Sequence, residues 1–341
     1  MNCYFNKSNK IQSFVQMSGF PFTIPANGAI PEMTYPDING SSAFVKVSMD
    51  EWYRSIRKEG LPLLVKRSRA LGDVLMLRSL MPYLKKEKDI SIHVLSNQLD
   101  FIFQDVNTRE NSVFSFNIDN TVEKDHSFTR FSKMHRIDIF AEAFDLKIDS
   151  RVLDFNLDFS SKERLFKDDY ILVQGTGSAD VKTLNDKLFN RTVQVLRESF
   201  PDKKILILDN RKPTTDINNI MVSKVKYSFS DFWNIVKYAS FMVCLDSGPL
   251  WVSHFTKTPV VALLGSTPIS TRLTYHPLYE KNGALGIELF KLIGCKQCNE
   301  QATFCKFKYS CLGPGVDLTS FEEVFENKLQ QIGDFLYGTR N

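Results

Sequence analysis

The second half of this chain has a regular rhythm. Continuous apolar runs at Tyr170–Val173, Lys204–Leu208, Phe241–Leu245 and Pro259–Leu264 alternate with stretches of helical apolar spacing near 183–199 and 230–239. Short runs that are apolar on both faces suit strands buried on both sides. Their alternation with helices implies a parallel sheet covered by helices. Two of the runs end in loops of small or polar residues, Gln174-Gly175-Thr176-Gly177-Ser178 and Asp246-Ser247-Gly248-Pro249. Ligands of such sheets bind at the carboxyl ends of strands, so chemistry is expected there.

The first half repeats the pattern once. The run Leu63-Leu64-Val65 meets the loop Arg67–Gly72, then a helix carrying Val74, Leu77, Met81 and Leu84 on one face, then the run Ile90–Leu95. This is one βαβ unit. From 97 to 165 the pattern is less regular, although Arg136 to Leu146 reads as helix. Residues 1–58 are broken up by Pro21, Pro25, Gly28, Pro31, Pro36 and Gly40 and read as short strands and turns. A final helix is expected from Thr319, with Glu322 placed for a capping box. With 341 residues the chain has the length of two domains. The expected division is an N-terminal extension (1–58), a Rossmann-like domain (59–165), a second Rossmann-like domain that includes the 295–311 cysteine cluster (166–320) and a C-terminal helix (321–341).

Composition narrows the class. The chain is 43% hydrophobic and 24% charged, which excludes disordered and fibrous classes. Its 43 basic and 39 acidic residues leave a net charge of only +4, which permits an anionic partner and demands none. The start lacks an apolar signal core, and no stretch approaches the ~18 apolar residues of a spanning helix. A cytoplasmic protein is expected, with any membrane association peripheral. Four of the six cysteines, Cys295, Cys298, Cys305 and Cys311, crowd into one segment. In a reducing compartment this spacing suits a closed tetrahedral thiolate site for structural zinc or iron; reduced thiols in a loop are the plain alternative.

Three loops could carry chemistry, each with a bland counterpart. Gly72 and Asp73 precede or open a helix, where Asp73 is either a helix cap or a general base for a hydroxyl nucleophile. Gly175, Thr176, Gly177 and Ser178, with Lys182 beyond them, either form a tight turn or hold phosphate oxygens. Asp246, Ser247 and Gly248 either cap a helix or present its amides to a diphosphate, with Trp251 and His254 on the helix that follows. The Gly175-Thr176-Gly177 loop lacks the third glycine of the dinucleotide fingerprint, which counts against a dehydrogenase.

The segments RALGDVLMLRSLMPYLKK and DSGPLWVSHFTKTPVVALLGSTP resemble the N-terminal loop and donor signature of glycosyltransferase family 9, the heptosyltransferases, in the right order over about 61–335. The resemblance implies the GT-B architecture, two Rossmann-like parallel-sheet domains facing across a cleft. It also implies inverting sugar transfer from a nucleotide-sugar donor without a cofactor. Asp73 matches the family's base, Ser247 and Gly248 its diphosphate turn, and Lys182 its phosphate-contacting lysine. The family pattern places a His where this chain has Trp251, which could stack on a base or sugar, and His254 lies one turn further. The expected acceptor is an envelope saccharide. The alternatives are a protein, or hydroxymethylated bases of phage DNA. From another class comes a non-catalytic module that binds nucleotide or nucleic acid through a degenerate transferase fold.

Overall fold

The computed structural model describes residues 2–8, 10, 12–15, 21–24, 28–31, 43–60, 62–66, 71–95, 102, 114–117, 134–148, 153–160, 163–177, 182–208, 220–222, 227–295 and 310–338. The chain divides into two compact units, one of 1–125 with 136–154 and the other of 126–135 with 155–341. Each is built on a six-stranded sheet. Among the described residues no helix is long and apolar enough to cross a membrane.

In the first unit the strands are β1 (Asn2–Asn6), β4 (Gly28–Pro31), β5 (Phe44–Ser48), β6 (Leu63–Lys66), β7 (Ile92–Leu95) and β8 (Phe114–Asn117). Their order is β5-β1-β4-β8-β6-β7; β4, β8, β6 and β7 run parallel, and β1 is antiparallel to β4 and β5. β2 (Gln12–Val15) and β3 (Pro21–Ile24) form a separate hairpin pair. The first 58 residues therefore supply half of this sheet's strands instead of standing apart as an extension. A helix, α1 (Met49–Glu59), follows β5, closed at its start by a capping box between Ser48 and Glu51 and at its end by Gly60 in the left-handed region. Its buried stripe is Met49, Trp52, Tyr53 and Ile56, and the Tyr53 hydroxyl donates to Phe144 O at 3.0 Å. α2 (Leu71–Lys88) is buried along most of its length and packs with α3 (Arg136–Ala143).

The second unit has β9 (Tyr170–Gln174), β10 (Lys204–Ile207), β11 (Ile220–Val222), β12 (Phe241–Leu245), β13 (Val260–Leu264) and β14 (Ala284–Glu288), all parallel. Their order is β11-β10-β9-β12-β13-β14. Counted from the first strand this is 3-2-1-4-5-6, the doubly wound order of dinucleotide-binding folds. Alternate residues Ile171, Val173, Ile205, Val243 and Leu263 join one core with α4 (Asp186–Ser199) and α8 (Leu318–Tyr337). The intervening Tyr170, Leu172, Leu206, Met242 and Ala262 are equally buried. On that side α5 (Phe229–Lys237) receives the Tyr170 hydroxyl at Ile235 O, 2.7 Å, and packs with α6 (Gly248–Thr256). A short α7 (Leu289–Leu292) follows β14. The last helix belongs to this core and is capped by Asp317, which accepts from Ser320 N. Glu322 lies too far in to complete a capping box and pairs with Arg191 of α4 instead.

Candidate functional site

The order of the second sheet fixes where its crevice lies. From β9 the chain crosses to β10 on one side, and from β12 to β13 on the other. The connections diverge, leaving the carboxyl ends of β9 and β12 open between them. The two sequence-predicted loops leave these strands, and Ser247 Oγ donates a very short hydrogen bond to Gln174 Oε1 across them. Gln174 Nε2 in turn donates to Thr176 O at 2.6 Å. Ser247 sits at the N-cap of α6 yet makes no side-chain cap bond there. With its hydroxyl turned to Gln174, Ser247 does not cap the positive end of the helix.

The loop after β9 folds back on itself. Leu184 N donates to Gly175 O at 2.9 Å and Gly177 N to Thr183 Oγ1 at 3.2 Å. A Cβ on Gly177 would stand 2.3 Å from Lys182 O and 2.4 Å from Lys182 Cβ, so only glycine allows this closure. The closure brings Lys182 Nζ to 3.9 Å from Asp246 Oδ2. Ser178 lies outside the described residues.

Asp246 is held by a residue that motif reading did not single out. Arg272 Nε donates to Asp246 Oδ2 at 2.7 Å, and its Nη1 donates to Thr271 O at 3.0 Å and Thr271 Oγ1 at 3.1 Å. Both charges are buried. A signal existed: Arg272 is the one Asp, Glu, Lys or Arg between Lys257 and Glu280. Its guanidinium carbon lies 5.8 Å from the Trp251 ring centroid. Trp251 is 6% exposed and stacks on His254 at 5.4 Å between centroids. It is buried and packs against both residues.

His254 is fully buried, with Nδ1 3.0 Å from Leu250 O and Nε2 3.2 Å from Arg272 O. His135 Nε2 approaches the same Arg272 carbonyl at 3.3 Å. His276 Nδ1 accepts from Leu278 N at 3.1 Å, which puts its proton on Nε2, facing Ser253 Oγ at 3.2 Å. Burial pushes the His254 imidazole down to about 4 and the His276 imidazole well below its ordinary range, the latter helped by the His254 charge. Both are neutral in the fold, while an unfolded histidine takes up a proton near pH 6.5. Stability is therefore untouched above about pH 7 and falls as pH drops from 6.5 to 4, by about 3 kcal/mol for His254. His276 adds a loss of the same sign. Urea midpoints from pH 7.5 to 4.5 should fall more steeply for wild type than for His254→Gln; parallel profiles would contradict the buried neutral imidazole.

In the first unit Gly72 is buried at the second position of α2 and Asp73 takes the third. Asp73 is not the cap, because the helix begins at Leu71 ahead of it. A carboxylate in the first turn is favoured by the helix dipole. Its Oδ1 lies 3.5 Å from Arg136 Nε at the start of α3, and its side chain is 13% exposed.

Of the cysteine cluster, Cys295 and Cys311 join one small apolar group with Phe290 and Leu312. Cys298 and Cys305 lie outside the described residues. Among the described residues no group of three or more His, Cys, Asp or Glu could hold a metal ion.

No family profile matches the sequence, and no curated protein does either. Solved structures do. The iron-containing dodecameric glycosyltransferase TibC of enterotoxigenic E. coli superposes with a TM-score of 0.60 at 13% identity, over 99% of this chain and 93% of that one. TibC in complex with ADP-D-β-D-heptose gives 0.55 at 13% identity, over 81% and 79%. E. coli heptosyltransferase WaaC with ADP gives 0.48 at 11% identity, over 80% and 99%. The likeness to TibC establishes the fold: this chain has the two-unit Rossmann-like α/β architecture of the GT-B class that its sequence motifs imply.

Proposed function

We propose that this protein is an inverting glycosyltransferase that moves a sugar from a nucleotide-sugar donor to an acceptor hydroxyl. One observation carries the reading. At the switch point of a 3-2-1-4-5-6 sheet, a glycine-closed loop bearing Lys182 and the uncapped start of α6 follow neighbouring strands, where folds of this order have their ligand crevice. Such a crevice suits a diphosphate. The complex of TibC with an ADP-linked heptose makes ADP-sugars the first donors to try.

The chemistry assigned is a direct displacement. The acceptor oxygen bonds to the anomeric carbon as the bond from that carbon to the phosphate oxygen breaks. The acceptor proton passes to Asp73, and the negative charge gathers on the nucleoside diphosphate. The amides of α6 and the Lys182 ammonium stabilise that charge as it forms. Asp246 is held in place by Arg272, and Trp251 and His254 support the helix from within. A saccharide is the proposed acceptor, and transfer itself needs no cofactor.

Thiolate donors of the cysteine quartet would suit a structural zinc or iron ion; Cys295 and Cys311 pack on one small apolar group with Phe290 and Leu312. No catalytic step is assigned to that ion.

The test is transfer from a panel of ADP-, UDP- and GDP-sugars to envelope saccharide, protein and hydroxymethylated-DNA acceptors, with zinc and iron measured in the same preparation. Release of nucleoside diphosphate coupled to a glycosylated saccharide is expected. Diphosphate binding without transfer to any acceptor would instead leave a nucleotide-binding module.

A further inference from the structure

The segment that ends the cysteine cluster is fastened to the loop that carries Lys182. Leu312 O accepts from Asn185 N at 2.8 Å. Asn185 is the N-cap of α4, its Oδ1 accepting from Leu188 N at 2.9 Å. The contact is close enough that a Cβ on Gly313, whose φ is 139°, would lie 1.9 Å from Asn185 Oδ1. The Leu312 side chain fills the space over Gly265 at the end of β13, where a Cβ would lie 2.3 Å from Leu312 Cδ2. Leu312 and Cys311 are both buried.

The stretch from Lys182 to Asn185 is thus pinned at successive points. Thr183 Oγ1 accepts from Gly177 N, Leu184 N donates to Gly175 O, and Asn185 N donates to Leu312 O. Two of these anchors lie in the loop after β9, within the proposed donor site. The third lies more than a hundred residues downstream, next to Cys311. It joins the packing of Leu184 and Leu188 into the unit's core in fixing the start of α4, and gives the chain leading back to Lys182 an anchor outside its own loop.

We propose that the turn Cys311–Gly313 is a positioning element for Lys182, so that the cysteine-bearing segment sets the affinity of the donor site. This rests on reading the Lys182 crevice as a diphosphate site. Neither Leu312 nor Gly313 touches the ligand in this scheme; they act through Asn185 and the chain that leads back to Lys182.

The experiment is a double-mutant cycle with ADP or UDP as the probe, whichever the wild-type protein binds, joined to hydrogen exchange. Leu312→Ala should speed amide exchange over 182–188 and weaken diphosphate binding by about three- to tenfold. In a Lys182→Met background the same change should have no further effect on affinity. Leu329→Ala, which truncates the same unit's core on α8, controls for loss of stability and should leave affinity unchanged. If Leu312→Ala does not fold, Leu312→Val serves in its place. Unchanged exchange over 182–188, or an equal loss of affinity with and without Lys182, overturns the proposal. If the wild-type protein binds no nucleoside diphosphate, the reading of the crevice falls, and the exchange result alone decides whether the turn holds the lysine's loop.

Discussion

Replacing Asp73 with Asn is expected to slow sugar transfer by about 10²–10⁴-fold, the usual worth of a positioned general base, while leaving nucleoside diphosphate affinity unchanged. Asparagine keeps the size of the side chain and still offers Arg136 an oxygen acceptor, but it cannot take the acceptor's proton as the new bond forms. The rival role for Asp73 is structural, as partner of Arg136 at 3.5 Å and as a favourable charge in the first turn of α2. The two roles separate cleanly. A structural role predicts a loss of about 1 kcal/mol in stability at most and little change in rate for protein that remains folded. A base predicts the reverse. Because the donor diphosphate is assigned to the second unit, its affinity should not register the change. Transfer rates under saturating donor, with diphosphate affinity by calorimetry on the same samples, decide the matter; wild-type rates in the Asn variant would remove Asp73 from the mechanism.

How much of this was legible in the sequence depended on the range of the interaction involved. β9, β12 and β13 could be read because every residue of those runs faces a helix or another buried surface, so the whole stretch is apolar. The loops after β9 and β12 could be placed because strands of this kind end at sites. β14 escaped, since its Ala284 and Gly286 look like loop residues; Gly286 is small because Ile269 packs where its Cβ would be. α1 escaped although its capping box, Ser48 to Glu51, was in plain view, because the prolines and glycines before it gave the whole region the look of turns. The antiparallel addition of β1 and β5 depends on pairing partners tens of residues apart, which local pattern does not reveal. The same limit hid the central ion pair. Asp246 announced itself through its motif, but Arg272 is 26 residues away and matters only because the fold brings it back. Trp251 shows the converse. Its identity invited a stacking role toward ligand, whereas its neighbours Arg272 and His254 make it part of the wall.

That ion pair carries the second large effect. Arg272→Leu should destabilise the protein by about 3–5 kcal/mol, because it strands the buried Asp246 carboxylate without its hydrogen-bonded partner. For a unit of this size the corresponding fall in melting temperature is about 6–20 °C. Lys182, 3.9 Å from the same carboxylate, offsets part of the loss, which places the expected value toward the lower end. The cost belongs to the stranded charge and not to the pair as such, so removing both charges should recover much of it. The double variant Arg272→Leu with Asp246→Leu is therefore expected to melt close to wild type and above the single variant. Donor binding should not recover with it, since an apolar side chain at 246 no longer faces the Lys182 ammonium beside the crevice. Thermal melts of the single and double variants, with diphosphate affinity on each, separate the two consequences of one contact. A single variant as stable as wild type would mean that the carboxylate is not buried as described. A double variant that regains affinity along with stability would mean that Asp246 holds the fold but has no part in the site.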